Sequence, residues 1–266
     1  MKINIKFYLF LLLLVFVPQC RGQVNILGKE GYMLIPSAGW KENRQLAFSF
    51  AYLPWEYSVF KPESEKNTVN FYSASVRFAS FMEAGISVAY RPRMPENIGV
   101  GDRQLDLRFR ILKETKTRPA LVLGWTPPGS ASPVLAHDYL VATKQFKSAL
   151  GDFEVTAGYA SPYVFPRKKN GKNYFDLEVI KKDDLRSGQY LSGFFGGITY
   201  KPVRFGGLML EYDTRNFNAG AFIKPFEWLL LQAYSLEAKA FAFSISTSFR
   251  LDFAPNTLRR YENSLE

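Results

Sequence analysis

The only histidine, His137, is followed directly by Asp138, and such a pair is the first place to look for hydrolytic chemistry. A hydrolase needs a base, an orienting group and a nucleophile in register. Neighbours in a strand point to opposite faces, so His137 and Asp138 cannot both reach one pocket if the strand is regular. His137 is therefore expected to be structural or to sit at a loop end, and no catalytic residue is assigned. A single histidine, with the single cysteine at position 20, disfavours a three-ligand zinc site. No glycine-rich loop follows a strand and opens a helix, as a phosphate cradle requires. No metal or cofactor is expected.

A second set of chemically capable residues is Arg77, Glu83, Asp106, Arg108, Arg110, Glu154, Glu211 and Arg250. All fall opposite the apolar positions of alternating segments, which in a barrel makes them lumen-lining candidates. Both signs occur together, so one reading is a packed, salt-bridged interior that spares each charge an unpaired burial. The other is a polar conduit or pocket whose arginines meet carboxylate or phosphate groups of a glycan. A third set, Arg167, Lys168, Lys169 and Lys172, lies in a long basic stretch and is a candidate for contact with anionic surface glycan. Lys181, Lys182 and Arg186 follow, but Asp176, Glu178, Asp183 and Asp184 make the segment mixed, so a solvated loop is the plainer reading.

The elements that must position these residues are strands, because from Leu46 onward the dominant period is two. Leu46, Phe48, Phe50 and Tyr52 alternate with Ala47, Ser49 and Ala51. Tyr72, Ala74, Val76 and Phe78 alternate with Ser73, Ser75 and Arg77. Met82 to Tyr90, Leu105 to Ile111 and Phe153 to Tyr159 repeat the pattern, and Phe241 to Leu251 is the most regular. Weaker segments run over 119–126, 136–146, 193–200, 207–212, 217–223 and 228–236. The expected fold is all-β, a single closed antiparallel transmembrane barrel of about 12 strands, with 10 to 14 compatible with the pattern.

Connections at 54–67, 92–101, 127–135 and 161–190 are long, whereas those near 80, 113–118, 147–151 and 201–206 are short. Such sorting suits an outer-membrane barrel, with long outer loops and short periplasmic turns. If the first strand runs outward, Tyr52, Tyr72, Tyr90, Trp125, Tyr139, Tyr159 and Tyr212 lie at outer ends. Tyr200, Phe81 and Trp228 then lie at inner ends, giving two aromatic girdles.

Lys2 and Lys6 precede an apolar run from Phe7 to Val17, which reads as a signal peptide over residues 1–22. Lipoprotein processing at Cys20 is the alternative. Residues 23–44 are expected to lead in from the periplasm, residues 45–253 to form the barrel and residues 254–266 a polar tail. Past the signal, no run of about 18 apolar residues could form a membrane helix. The formal charge is +10, of which Lys2, Lys6 and Arg21 carry three, leaving +7 on the rest. A basic balance suggests anionic partners, here lipopolysaccharide phosphates or an acidic polysaccharide; nucleic acid is not expected for an exported protein.

Several segments resemble the YjbH-like family of outer-membrane proteins associated with exopolysaccharide biosynthesis. They are LGKEGYMLIPSAG (Leu27 to Gly39), LDLRFRILKE with RPALVLGW (Leu105 to Trp125), HDYLVATKQF (His137 to Phe146) and EYDTRNFNAGAFIKPFEWL (Glu211 to Leu229). The segment TPPGSASP after Trp125 lacks the Asp and Gly-Thr-Gly elements of that family's loop, and the chain has room for one barrel where longer relatives carry more. The resemblance implies a non-enzymatic barrel in the Gram-negative outer membrane that assists exopolysaccharide production or export alongside other secretion proteins. A general small-solute porin and a soluble periplasmic glycan-binding β protein are the competing readings.

Overall fold

A computed structural model describes residues 23–40, 45–54, 57, 68–92, 101–168, 170, 173, 176–185 and 190–251. The expected segments form strands β1 (Leu46–Leu53), β2 (Val69–Ala79), β3 (Met82–Tyr90), β4 (Arg103–Leu112), β5 (Ala120–Trp125), β6 (Tyr139–Ser148) and β7 (Gly151–Ala160). A small two-stranded sheet follows, β8 (Tyr163–Val164) with β9 (Ile180–Lys181). Then come β10 (Gly193–Val203), β11 (Gly206–Tyr212), β12 (Phe217–Phe226), β13 (Leu229–Leu236) and β14 (Ala240–Phe249). Each barrel strand pairs antiparallel with its neighbours, and β1 closes on β14 from Leu46↔Phe249 to Tyr52↔Phe243, giving a closed barrel of 12 strands. Closure leaves no unpaired edge, which is what a sheet surrounded by hydrocarbon requires.

Alternation sorts the side chains. On β14, Phe241, Phe243, Ile245 and Phe249 are exposed while Ala242, Ser244, Ser246 and Ser248 are buried. The same holds around the wall, and the exposure is extreme for apolar groups: Phe78 is 69% exposed, Phe194 76% and Phe241 78%. Long connections (54–68, 91–102, 126–138 and 161–192) gather at one end of the barrel and short turns at the other. The sorting lapses after β10, where 213–216 and 237–239 make the long-loop end tight as well.

Outward aromatics form two bands. Tyr72, Tyr90, Trp125 and Tyr159 are exposed near the long-loop end, and Phe81, Phe146 and Trp228 near the short-turn end. Rings pack along each band, as Tyr159 on Phe194 at 4.9 Å at the long-loop end and Phe226 on Trp228 at 5.5 Å at the short-turn end. Tyr139 departs from its expected place. It points into the lumen, buried, because β6 is apolar on both faces and its alternation does not reveal which side is which. Gly124, its partner across β5 and β6, makes room: a Cβ there would fall 2.1 Å from the Tyr139 ring.

The lumen is filled by residues 23–40. The expectation of a simple lead-in gives this segment no place inside the wall. It folds on itself through the bridges Val24↔Glu30 and Gly31↔Pro36 and through backbone bonds such as Ile26 N to Met33 O at 2.9 Å. Ile26, Leu27, Tyr32, Met33, Ile35 and Ala38 are buried against the inward faces of the strands. The core of the molecule is thus a plug-to-wall contact, and the apolar outer faces of the strands take no part in it.

Candidate functional site

Of the expected lumen residues, Asp106, Arg108, Glu154 and Glu211 are inward and buried, and Arg77, Glu83 and Arg110 are inward and half-buried. Arg250 follows the last residue of β14 and is exposed. Arg167 and Lys168 are exposed in the long connection between β7 and β10, whereas Lys169 and Lys172 lie outside the described residues. The lumen set is brought together, but around the plug and not around open space.

The buried charges are engaged. Arg108 Nη1 pairs with Glu83 at 3.1 Å, and its Nη2 donates to the carbonyls of Ser37 and Gly39 at 2.8 and 3.2 Å. The guanidiniums of Arg108 and Arg110 lie 5.6 and 5.2 Å from the Trp40 ring, in cation–π range. Glu154 accepts from Lys201 at 3.1 Å and from Gln145 at 3.3 Å. Glu211 accepts from three successive plug amides, Met33 at 3.0 Å, Leu34 at 3.0 Å and Ile35 at 3.3 Å, and from Asn218 at 3.2 Å. Held by four donors, the carboxylate acts as a clamp on the plug.

Near the long-loop end the plug meets His137. Lys29 Nζ lies 2.6 Å from His137 Nε2 and 3.1 Å from Asp106 Oδ1. Burial, with the charges of Lys29 and Lys182, holds His137 well below its ordinary pKa, so the ring is neutral. With Nε2 facing Lys29, Nδ1 lies between the Gln104 side-chain amide at 2.9 Å and Leu135 O at 3.1 Å, so both ring nitrogens are engaged. Asp138 points elsewhere and accepts from Thr126 N at 2.8 Å. The two neighbours therefore do separate jobs, and His137 lacks the geometry of a base beside a nucleophile. Among the described residues no three His, Cys, Asp or Glu side chains gather as a metal site would need.

The connection between β7 and β10 folds down over this corner. Tyr190 is buried edge-on to His137 at 5.0 Å, and its hydroxyl donates to Leu34 O. Lys182 is buried too, donating to the carbonyls of Tyr190 at 3.2 Å and Leu191 at 2.6 Å. Burial, reinforced by Lys29 and opposed by Asp138, lowers the Lys182 pKa to about 7. Between about 7 and the ordinary 10.5 the unfolded chain holds a proton that the folded chain has lost, so stability rises with pH across that window and is flat below it. Thermal unfolding should therefore shift upward from pH 7 to pH 10, and Lys182→Met should remove the rise between about pH 7 and 8, above which Lys29, lowered to about 8, contributes as well. A flat profile in the parent protein would overturn this account.

The opposite side of the lumen is chemically different. There β14, β1, β2 and β3 present Ser246, Ser248, Ser49, Ser73, Ser75 and Ser87 inward. Ser87 donates to Leu27 O at 2.7 Å. The hydroxyls of Ser49, Ser73 and Ser246 are buried without a hydrogen-bond partner. Cavities of about 10 and 20 Å³ remain between this serine face and the plug residues Val24 and Gly28, room for roughly one water each.

Sequence reasoning missed Lys29, Tyr32, Trp40 and Tyr190 and placed Lys182, which is buried, in a solvated loop; all five hold the plug or its cover. The turn-rich run Leu27 to Gly39 is the one available signal, since a segment so apolar and so rich in glycine and proline needs something to pack on. A family model described as "Exopolysaccharide biosynthesis protein YbjH" matches residues 23–262. No curated protein matches the chain.

Proposed function

Because that match makes the chain a member of the YjbH family of exopolysaccharide biosynthesis proteins, we propose that it is a non-enzymatic outer-membrane barrel that assists the export of a surface polysaccharide. The observation that carries the membrane part is the outward face: a closed wall whose exposed side chains are Phe, Leu, Ile, Tyr and Trp, with aromatic bands at two levels. Exposed apolar surface on that scale is costly in water and favourable against hydrocarbon and headgroups. Strands of about ten residues, tilted by about 40°, rise roughly 25 Å, the height of such an apolar band. In this orientation the short-turn end faces the periplasm and the long loops face outward, where Arg167 and Lys168 meet lipopolysaccharide or the secreted glycan itself.

The absence of catalysis belongs to the same reading, supported by His137, Asp106 and Glu211, whose polar atoms hold the plug. Fractionation of the native host, with boiled and unboiled samples compared on a gel, tests the location. Recovery in the outer membrane with a mobility that changes on boiling is expected. Recovery as a soluble periplasmic protein would overturn the reading in favour of a glycan-binding β protein. A deletion strain should lose secreted polysaccharide while keeping its other envelope functions.

A further inference from the structure

We infer that the seam between the plug and the serine face of β14, β1 and β2 is a binding site for a hydroxyl-rich, uncharged stretch of glycan entering from the short-turn end. This rests on the export reading above and adds where the polymer is held.

The plug is anchored lopsidedly. On one side it is tied by charged or strongly polar partners: the three amides on Glu211, the two carbonyls on Arg108, and Ala38 N on Thr143 Oγ at 2.8 Å. On the serine side the ties are fewer and neutral, Ser87 Oγ to Leu27 O at 2.7 Å and Val24 N to Gln232 Oε1 at 3.1 Å. There the plug leans through Gly28, whose φ of +79° and bare Cα allow close approach; a Cβ there would fall 2.4 Å from Ser73 Cβ. The cavity lies at this second contact, lined by Val24, Gly28, Ser49, Ser73 and Ser246. Ser73 is 8% exposed and Ser246 5%, and neither hydroxyl has a partner.

Buried hydroxyls are rarely left unpaired unless something else supplies the bond. Water can do so in the closed state, and the hydroxyls of a sugar offer the same donors and acceptors. Along the wall the contact is made by Ala47, Ser49, Ser73 and Ser246 opposite Gly28, uncharged groups that hold such a chain weakly at many points, which lets it slide. The charged residues that line the two cavities, Lys224, Glu227, Glu30 and Glu83, sit toward the short-turn end, where a chain would enter. A polymer is wider than the present cavity, so the plug must tilt away from the serine face while Glu211 and Arg108 keep hold of it.

The test uses the full chain in its native host, with Ser73→Cys and Ser246→Cys, close in size to serine, and Ala74→Cys on the outward face as control. Cells are treated with a bulky methanethiosulfonate, which forms a disulfide with the introduced thiol, releasing sulfinate, and is removed by a reductant. Secreted hexose should fall to the level of the deletion strain when the thiol of the Ser73→Cys or Ser246→Cys variant is modified. It should recover on reduction and stay unchanged in the control, with the unboiled mobility intact throughout. Normal secretion by cells whose seam thiols are fully modified would overturn the site, as would thiols that stay unreactive during secretion. A deletion strain that secretes normally would instead overturn the export reading, and the site with it.

Discussion

Glu211→Ala should release the plug from the wall while leaving the barrel closed. Hydrogen bonds to a charged acceptor contribute about 1.5–3 kcal/mol each, and Glu211 accepts three from the plug backbone. Loss of the carboxylate strands the amides of Met33, Leu34 and Ile35 in a site that is 1% exposed at Glu211. Several kcal/mol are then removed from plug docking, at about 1.4 kcal/mol per tenfold in population. The strand ladders do not depend on this residue's side chain, so the heat-modifiable band should persist. Ion conductance of the purified barrel in a planar bilayer should rise by roughly three orders of magnitude or more, on this arithmetic. Protease sensitivity of residues 23–40 should rise with it. Glu211→Gln, which keeps one acceptor oxygen, should show a smaller change in the same direction. Equal conductance in parent and Ala variant would show that the plug is held by apolar packing alone.

The second large effect is expected at Lys29 and Asp106. Their side chains are 4% and 3% exposed and 3.1 Å apart. Removal of one partner of a buried pair leaves the other charge uncompensated, at a cost of about 3–5 kcal/mol. Lys29→Met and Asp106→Leu should each lower the temperature at which the unboiled band converts, while the double substitution should recover most of the loss. His137 makes the cycle informative, because Lys29→Met also removes the donor to Nε2 and so costs more than the pair alone. A double variant no better than the worse single one would mean that the pair sets the plug's position more than it balances charge.

The wall is legible in the sequence because one physical requirement, an apolar outside around a polar inside, writes a two-residue period into every strand. Phe241 to Phe249 shows it in pure form. Tyr139 is misplaced by that period because β6 is apolar on both faces, so side cannot be inferred from type. The lumen set is found through the same period, but its role is not, because Glu211 and Arg108 bind plug backbone, which carries no side-chain signature. The plug is hidden for a related reason. Its contacts join residues far apart in the chain, Gln23 with Thr199 across 176 positions and Val24 with Gln232 across 208, and no local pattern reports them.

Those spans also bear on how the molecule comes to be built. The seam that closes the cylinder joins β1 to β14, so the ring can shut only after the last strand has been delivered. The plug precedes β1 in the chain and touches strands all around the circumference, so it is held inside before the final edge zips. It thus offers a mandrel, with Glu211 and Gln232 grasping it as their strands arrive, and it sets the curvature about which the sheet winds. Assembly of such non-local contacts is slow. A half-wound intermediate, with the edges of β1 and β14 still unpaired, is thus built into this architecture.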